Sequence, residues 1–115
     1  MTTSDQQLPM EISPREVQLQ LDADDGLVLI DCRETEEHAR AAIAAAELFP
    51  MSEIQQRVAE LDSYKHRHVV VHCQLGGRSL QVTHWLRAQG FAQTQSMAGG
   101  IEAWSQEIDP SVPRY

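Results

Sequence analysis

The chain contains two short runs that are apolar at every position, residues 27–30 (LVLI) and 69–71 (VVV). Runs of this length without polar alternation are typical of parallel strands that are covered on both faces. Shorter strands are predicted at residues 48–49 and 94–97, and segments with helical signals separate these strands. Strands that alternate with helices predict the α/β class with a mainly parallel sheet.

Capping residues and glycines mark the places where helices are predicted to begin. The predicted helix starts are Ser13, Thr35, Ser52, the pair Gly76 and Gly77, and the pair Gly99 and Gly100. The helix after Ser52 is expected to reach about residue 61, and the helix after Gly77 about residue 89. Residues 39–46 are rich in alanine and have helical propensity, but the fold that the motifs indicate would make much of this stretch a loop.

The length and the cysteine content bound the class of protein. With 115 residues there is room for one domain, which we expect at residues 10–115 after a flexible N-terminal segment at residues 1–9. Two cysteines are too few for a secreted disulfide scaffold. No signal peptide is predicted, and no segment reaches the roughly 20 apolar residues that cross a bilayer. A cytoplasmic protein with free thiols is therefore expected.

The formal net charge of −8 narrows the range of partners. An acidic chain repels nucleic acid and anionic lipid, so neither is expected to bind. A site that takes an anion must then supply its own local positive field, and backbone N–H groups in glycine loops and at helix starts provide one.

The segment at residues 69–79, VVVHCQLGGRS, combines a glycine loop with a predicted helix start. A buried strand leads to Cys73, and Gly76 and Gly77 let the next loop curl so that its N–H groups point inward as an anion nest. The following helix adds its dipole, and Arg78 adds a full positive charge. A thiol in this loop is expected to have a lowered pKa and to react as the thiolate. The alternative is a core cysteine before an ordinary glycine turn.

The pattern Cys73-x-x-Gly76-x-Arg78-Ser79 resembles the active-site loop of the rhodanese (thiosulfate sulfurtransferase) family. Three further segments resemble motifs of that family in the same order. LIDCRE at residues 29–34 resembles the family's Asp-Val-Arg-Glu motif, and GF at residues 90–91 matches its Gly-Phe motif. GGIEAW at residues 99–104 resembles its Gly-Gly-x-x-Ala-Trp motif. The tail IDPSVPRY at residues 108–115 resembles that of rhodanese domains fused to ubiquitin-activating-like enzymes, which serve sulfur-carrier proteins.

The resemblance implies a rhodanese-like three-layer sandwich and a sulfurtransferase that works through a persulfide on Cys73. A small anionic sulfur donor such as thiosulfate would load the sulfur, and a thiol, cyanide or a sulfur-carrier protein would accept it. The implied substrate-binding residues are Gln74, Leu75, Gly76, Gly77, Arg78 and Ser79. No metal and no organic cofactor are implied.

Two other functions stay open at this stage. A rhodanese module without catalysis would bind or sense, although such modules commonly lose the cysteine that Cys73 retains. Phosphatases and arsenate reductases of the same fold use a loop one residue longer than the six positions from Cys73 to Arg78. Dephosphorylation is therefore the less favoured interpretation.

Two departures from the family pattern affect the expectations. Residues 41–46 are AAIAAA where the family usually has Gly-His-Ile-Pro-Gly-Ala, a mainly structural motif, so altered stability or local geometry is expected. Gln74 and Leu75 stand where many single-domain members have Arg or Lys, which predicts weaker binding of thiosulfate and the use of another donor.

Other reactive or polar residues have plainer interpretations. Cys32 follows the neighbouring predicted strand and could resolve an oxidised Cys73, but a small buried side chain is the favoured interpretation. Strand alternation turns His72 away from Cys73, which favours a packing or hydrogen-bonding role. His66 and His68 lack further ligands at fitting spacing, so no metal site is predicted.

Overall fold

The computed structural model describes residues 7–115, which form five strands and the helices between them. The strands are β1 (Glu11–Ile12), β2 (Val28–Asp31), β3 (Glu47–Leu48), β4 (Val69–His72) and β5 (Thr94–Met97). All pairings are parallel, and the sheet order is β1-β5-β4-β2-β3. The predicted parallel α/β class is confirmed. Of the N-terminal segment that was expected to be flexible, residues 1–6 lie outside the described part of the chain.

The helices that join the strands begin where local chemistry satisfies their first N–H groups. They are α1 (Pro14–Asp22), α2 (Thr35–Arg40), a 3-10 helix (Val58–Tyr64), α3 (Gly77–Ala88) and α4 (Gly100–Glu107). At the start of α1 the Ser13 hydroxyl accepts the N–H of Glu16 over 3.1 Å, as the capping pattern predicted. Within residues 7–115, none of the helices combines the length and apolar character needed to cross a bilayer.

Each face of the sheet is covered by its own apolar cluster. On one face Ile30 and Val71 pack with side chains of α3 and the 3-10 helix. On the other face Leu29 and Val70 pack with side chains of α1 and α4. Because β2 and β4 are buried at every position, apolar runs without alternation were the correct signal for them. The sheet between two helical layers is the expected three-layer sandwich.

Two predicted helix starts are wrong in detail. The helix α2 begins at Thr35, but the capping position is Glu34, whose N–H donates to the Glu37 carboxylate over 3.0 Å. Ser52 begins no helix, because its hydroxyl donates to the Glu34 carboxylate over 2.7 Å instead of capping N–H groups. The chain forms turns there and then the 3-10 helix, which reaches Tyr64 rather than residue 61.

The alanine-rich stretch at residues 41–46 is a loop, as the fold required. The helix α2 ends at Arg40, and Ala41 turns to an extended conformation with φ −161° and ψ 135°. The carbonyl of Ala41 accepts a hydrogen bond of 2.5 Å from the buried guanidinium of Arg33. This tertiary contact fixes the end of the helix, where alanine propensity alone would have let it continue.

Candidate active site

The Cys73 loop, which we define as residues 73–79, joins the carboxyl end of β4 to α3. Its turn depends on Gly76, which has φ +117°, a conformation that favours glycine. This turn aims two backbone N–H groups at the Cys73 sulfur, that of Gly76 over 3.1 Å and that of Ser79 over 3.3 Å. Cys73 is buried, so a negative charge on its sulfur needs these donors in place of water.

Two serine hydroxyls extend the environment of the sulfur. The Ser79 hydroxyl lies 3.4 Å from Cys73 Sγ and 2.7 Å from the Ser96 hydroxyl. Both serines are fully buried, and Ser96 comes from the neighbouring strand β5. Ser96 was not identified from the sequence, because a serine within a short strand carries no signal of what faces it across the sheet.

The start of α4 holds the Cys73 loop from the opposite side. The N–H groups of Ile101 and Glu102 donate to the carbonyls of Cys73 and Gln74 over 2.9 and 3.1 Å. This approach requires Gly100, because a Cβ there would lie 2.5 Å from the Cys73 carbonyl oxygen. By binding the first two loop carbonyls, α4 holds the start of the loop whose Gly76 and Ser79 N–H groups face the sulfur.

Cys32 lies directly beside Cys73. Its N–H donates to the carbonyl of His72 over 2.9 Å, which continues the pairing of β2 with β4 by one residue. Both cysteines are free, and their side chains belong to the same core cluster. The Cys32 thiol, the Ser79 hydroxyl and the Gly76 and Ser79 N–H groups outweigh burial and lower the pKa of Cys73 to about 4. The Cys73 contact and burial raise the pKa of Cys32.

Arg78 is paired with an acidic side chain, so the full positive charge that it was expected to add to the loop is largely compensated. Its guanidinium donates to both oxygens of Glu37 on α2 over 2.7 and 2.9 Å. These bonds lower the pKa of Glu37 to about 2 and, with the charge of Glu37, outweigh burial and raise the pKa of Arg78. The sequence analysis did not identify Glu37 as a site residue, since nothing local shows that it meets a residue 41 positions away.

The chain after α4 folds back against the Cys73 loop. The Gln74 amide donates to the backbone carbonyl of Tyr115 over 2.8 Å, so this side chain is tied to the tail. The Tyr115 hydroxyl accepts from Arg33 over 2.6 Å and donates to Glu37 over 3.0 Å. Leu75, by contrast, is 67% exposed.

A buried polar cluster lies on the other face of the β2 and β4 ends. Asp31 accepts from the Arg33 guanidinium over 3.0 and 2.8 Å and from His38 over 2.8 Å. Burial raises the pKa of Asp31, but Arg33, His72 and His38 together hold it at about 2. His72 points away from the Cys73 sulfur and donates to the Cys73 carbonyl over 3.2 Å. This cluster supports the loop without touching the sulfur.

The histidine pair in the loop before β4 shows no arrangement for a metal. The ring nitrogens of His68 lie 3.0 Å from the side-chain oxygen of Gln20 and 2.7 Å from that of Gln95. In residues 7–115, no three His, Cys, Asp or Glu residues are grouped so that they could hold a metal ion.

Comparison with known proteins identifies the family. Residues 13–107 match the family described as "Rhodanese-like domain". The chain belongs to the rhodanese family. A protein of Allochromatium vinosum named "Sulfurtransferase" is 33% identical over 102 residues, covering 89% of this chain and 94% of that protein. The structure of the human single-domain sulfurtransferase TSTD1 superposes with a TM-score of 0.77 at 28% identity, covering 87% of this chain and 98% of that one.

Other rhodanese relatives are much longer than this chain. "Adenylyltransferase and sulfurtransferase MOCS3-2" of Zea mays is 31% identical over 100 residues, which cover 81% of this chain and 21% of the relative. A chloroplast protein of Arabidopsis thaliana named for rhodanese-like and PpiC domains is matched over 30% of its length. The domain therefore occurs both alone and within larger proteins, and the resemblance found in the four motifs and in the tail is confirmed.

Proposed function

We propose that the protein is a sulfurtransferase that carries a sulfane sulfur as a persulfide on Cys73. The observation that carries this proposal is a buried cysteine with a pKa of about 4 whose sulfur accepts two backbone N–H groups. Such a cysteine is a thiolate at neutral pH, and the thiolate is the form that attacks sulfur. Relatives named as sulfurtransferases, which match most of the chain, support the same chemistry.

The reaction is proposed to run as a double displacement. The Cys73 thiolate attacks the outer sulfur of a donor such as thiosulfate, the new S–S bond forms, and sulfite leaves with the electron pair of the broken bond. A nucleophilic acceptor then attacks the outer sulfur of the persulfide, and Cys73 departs as the thiolate. The N–H groups of residues 74–79 and the start of α3 stabilise the negative charge of the loop throughout.

The surroundings of the loop favour a protein partner over thiosulfate alone. Arg78 is neutralised by Glu37, Gln74 carries no charge, and the loop therefore offers little attraction beyond its N–H groups to a small dianion. The exposed Leu75 supplies an apolar contact that a protein surface can cover. We accordingly propose a protein-bound persulfide as the donor, and a small thiol, cyanide or a sulfur-carrier protein as the acceptor. The cytoplasm, where thiols stay reduced, is the proposed location.

Mass spectrometry tests the persulfide directly. After incubation with thiosulfate and removal of excess reagent, the intact protein should gain the mass of one sulfur atom, and cyanide should remove it. The Cys73→Ser variant should keep the fold and lose both the mass gain and the transfer of sulfur to cyanide. A full transfer rate in that variant, or no mass gain with thiosulfate and with small persulfides in the wild type, would refute the proposed function.

A further inference from the structure

The mechanism described so far assigns no step to the neighbouring thiol of Cys32, although this thiol contributes to the lowered pKa of Cys73. Parallel strands lie about 4.8 Å apart, and the Cys32 N–H bond to the His72 carbonyl sets Cys32 opposite Cys73 in the register. Residues at corresponding positions of adjacent strands project to the same face, as the shared core cluster of the two cysteines shows. The two sulfur atoms are therefore neighbours, and neither has access to bulk water, since Cys32 is 0% and Cys73 1% exposed.

The surroundings of the two sulfur atoms differ. Cys73 Sγ accepts the N–H groups of Gly76 and Ser79 and lies beside the Ser79 hydroxyl. The Gly76 and Ser79 N–H groups point at Cys73 rather than at Cys32, and the N–H of Cys32 itself donates to the His72 carbonyl. A single negative charge shared by the pair is thus stabilised on Cys73, while the remaining proton stays on Cys32. A buried S–H group next to a buried thiolate then has one favourable orientation, toward that thiolate.

We propose that Cys32 is a positioning residue of the site: its buried thiol donates its S–H to the Cys73 sulfur and so stabilises the thiolate when it attacks a donor and when it leaves the persulfide. The proposal rests on the proposed sulfurtransferase function. It assigns to Cys32 a role that a buried apolar side chain could not fill, in addition to the packing role that its place in the core cluster gives it.

The role has opposite effects on the two half-reactions. A thiol of lower pKa is a better leaving group, so the S–H donor should speed the release of sulfur to an acceptor. A fully ionised thiolate of lower pKa is a weaker nucleophile, so the same donor should slow the attack on sulfur at a pH where every variant is ionised. Damage to packing would instead slow both half-reactions together.

A titration of Cys73 tests the hydrogen bond without any sulfur transfer. The ultraviolet absorbance of the thiolate is followed against pH in the wild type and in Cys32→Val and Cys32→Ala, which bracket the volume of cysteine and lack a donor, with Cys73→Ser as the baseline. The titration midpoint should rise by about one pH unit or more in both variants, which is a tenfold lower proton concentration, because a hydrogen bond to a charged group has about that effect. Cys32→Ser, whose hydroxyl can donate, should titrate closer to the wild type. The control Ile30→Val, two residues earlier on the same face, should keep the wild-type midpoint.

The two half-reactions are then measured separately at a pH above every midpoint. Release of sulfur from the preloaded persulfide to cyanide should be slower in Cys32→Val, whereas thiolate attack on a persulfide donor should be faster by about threefold for each tenfold change in thiol acidity. An unchanged midpoint in Cys32→Val and Cys32→Ala, or an equal rise in Cys32→Ser, would overturn the proposal. If the wild type gains no sulfur in the mass measurement, the proposed function fails, and the titration still decides whether the thiol pair exists.

Discussion

Replacing Glu37 by glutamine removes the partner of Arg78 while keeping the size and shape of the side chain. The guanidinium then faces one carbonyl oxygen and one amide group in place of a carboxylate that accepts two hydrogen bonds over 2.7 and 2.9 Å. The Tyr115 hydroxyl, which donates to the same carboxylate over 3.0 Å, also loses a charged acceptor. Because these contacts join α2, the Cys73 loop and the tail, we expect the variant to be less stable at neutral pH.

The lowered pKa of Glu37 gives the size of this effect. The pKa falls from an ordinary value of 4.5 to about 2, and one pKa unit corresponds to about 1.4 kcal/mol, so roughly 3.5 kcal/mol is the upper limit. The carboxylate side chain is 20% exposed, and glutamine retains part of the hydrogen bonding. We therefore expect Glu37→Gln to lower the free energy of unfolding by about 2 kcal/mol at pH 7, and Tm by about 8 °C in a domain of this size.

The pH dependence distinguishes an ion pair from a packing effect. A carboxyl group with a lower pKa in the folded protein stabilises it fully above the unfolded pKa near 4.5, and this contribution is lost as the pH falls through about 2. Urea unfolding of the wild type and Glu37→Gln at several pH values from 7 to 3 should thus show a difference that shrinks below about pH 5. In a double-mutant cycle with Arg78→Gln, the second substitution should add little to the first. A cost below about 0.5 kcal/mol at pH 7, or one that persists unchanged at pH 3, would refute the reasoning.

Two further variants test the geometry and the charge of the Cys73 loop. Gly100→Ala should reduce sulfur loading from thiosulfate by tenfold or more and lower Tm, because the new Cβ would lie 2.5 Å from the Cys73 carbonyl. The control Gly77→Ala, whose Cβ would meet no atom within 4 Å, should lose far less loading and stability. Equal losses in the two variants would contradict the role given to α4. Gln74→Arg should raise kcat/KM for thiosulfate at low salt, because it adds an unpaired positive charge to the loop. The gain should shrink with added salt, because a charge at the loop rim is screened over about 8–10 Å at physiological ionic strength. Gln74→Leu, which loses the bond to Tyr115 without adding charge, is the control, and an absence of gain in Gln74→Arg at low salt would show that loop charge does not set donor choice.

The sequence by itself determined the features that depend on local patterns. Uninterrupted apolar runs identified β2 and β4 because both strands are buried on two faces, and the strand at residues 94–97 was predicted with its exact bounds. The strand, cysteine, glycine pair and helix in succession also located the Cys73 loop, since the turn at Gly76 requires a positive φ. The two-residue strand β1 was missed, because so short a segment has no periodicity of its own.

Only the tertiary structure decided which side chains meet at this loop. Glu37 neutralises Arg78, Ser96 bonds to Ser79, and Tyr115 accepts the amide of Gln74, in each case across a separation of 17 to 41 residues along the chain. Charge counted along the sequence therefore overstated the positive field of the loop. The cause is physical: helix and strand propensities and turn requirements act over a few residues. The contact of Cys32 with Cys73 instead depends on the register of β2 and β4, and the bond between Ser79 and Ser96 depends on the place of β5 beside β4.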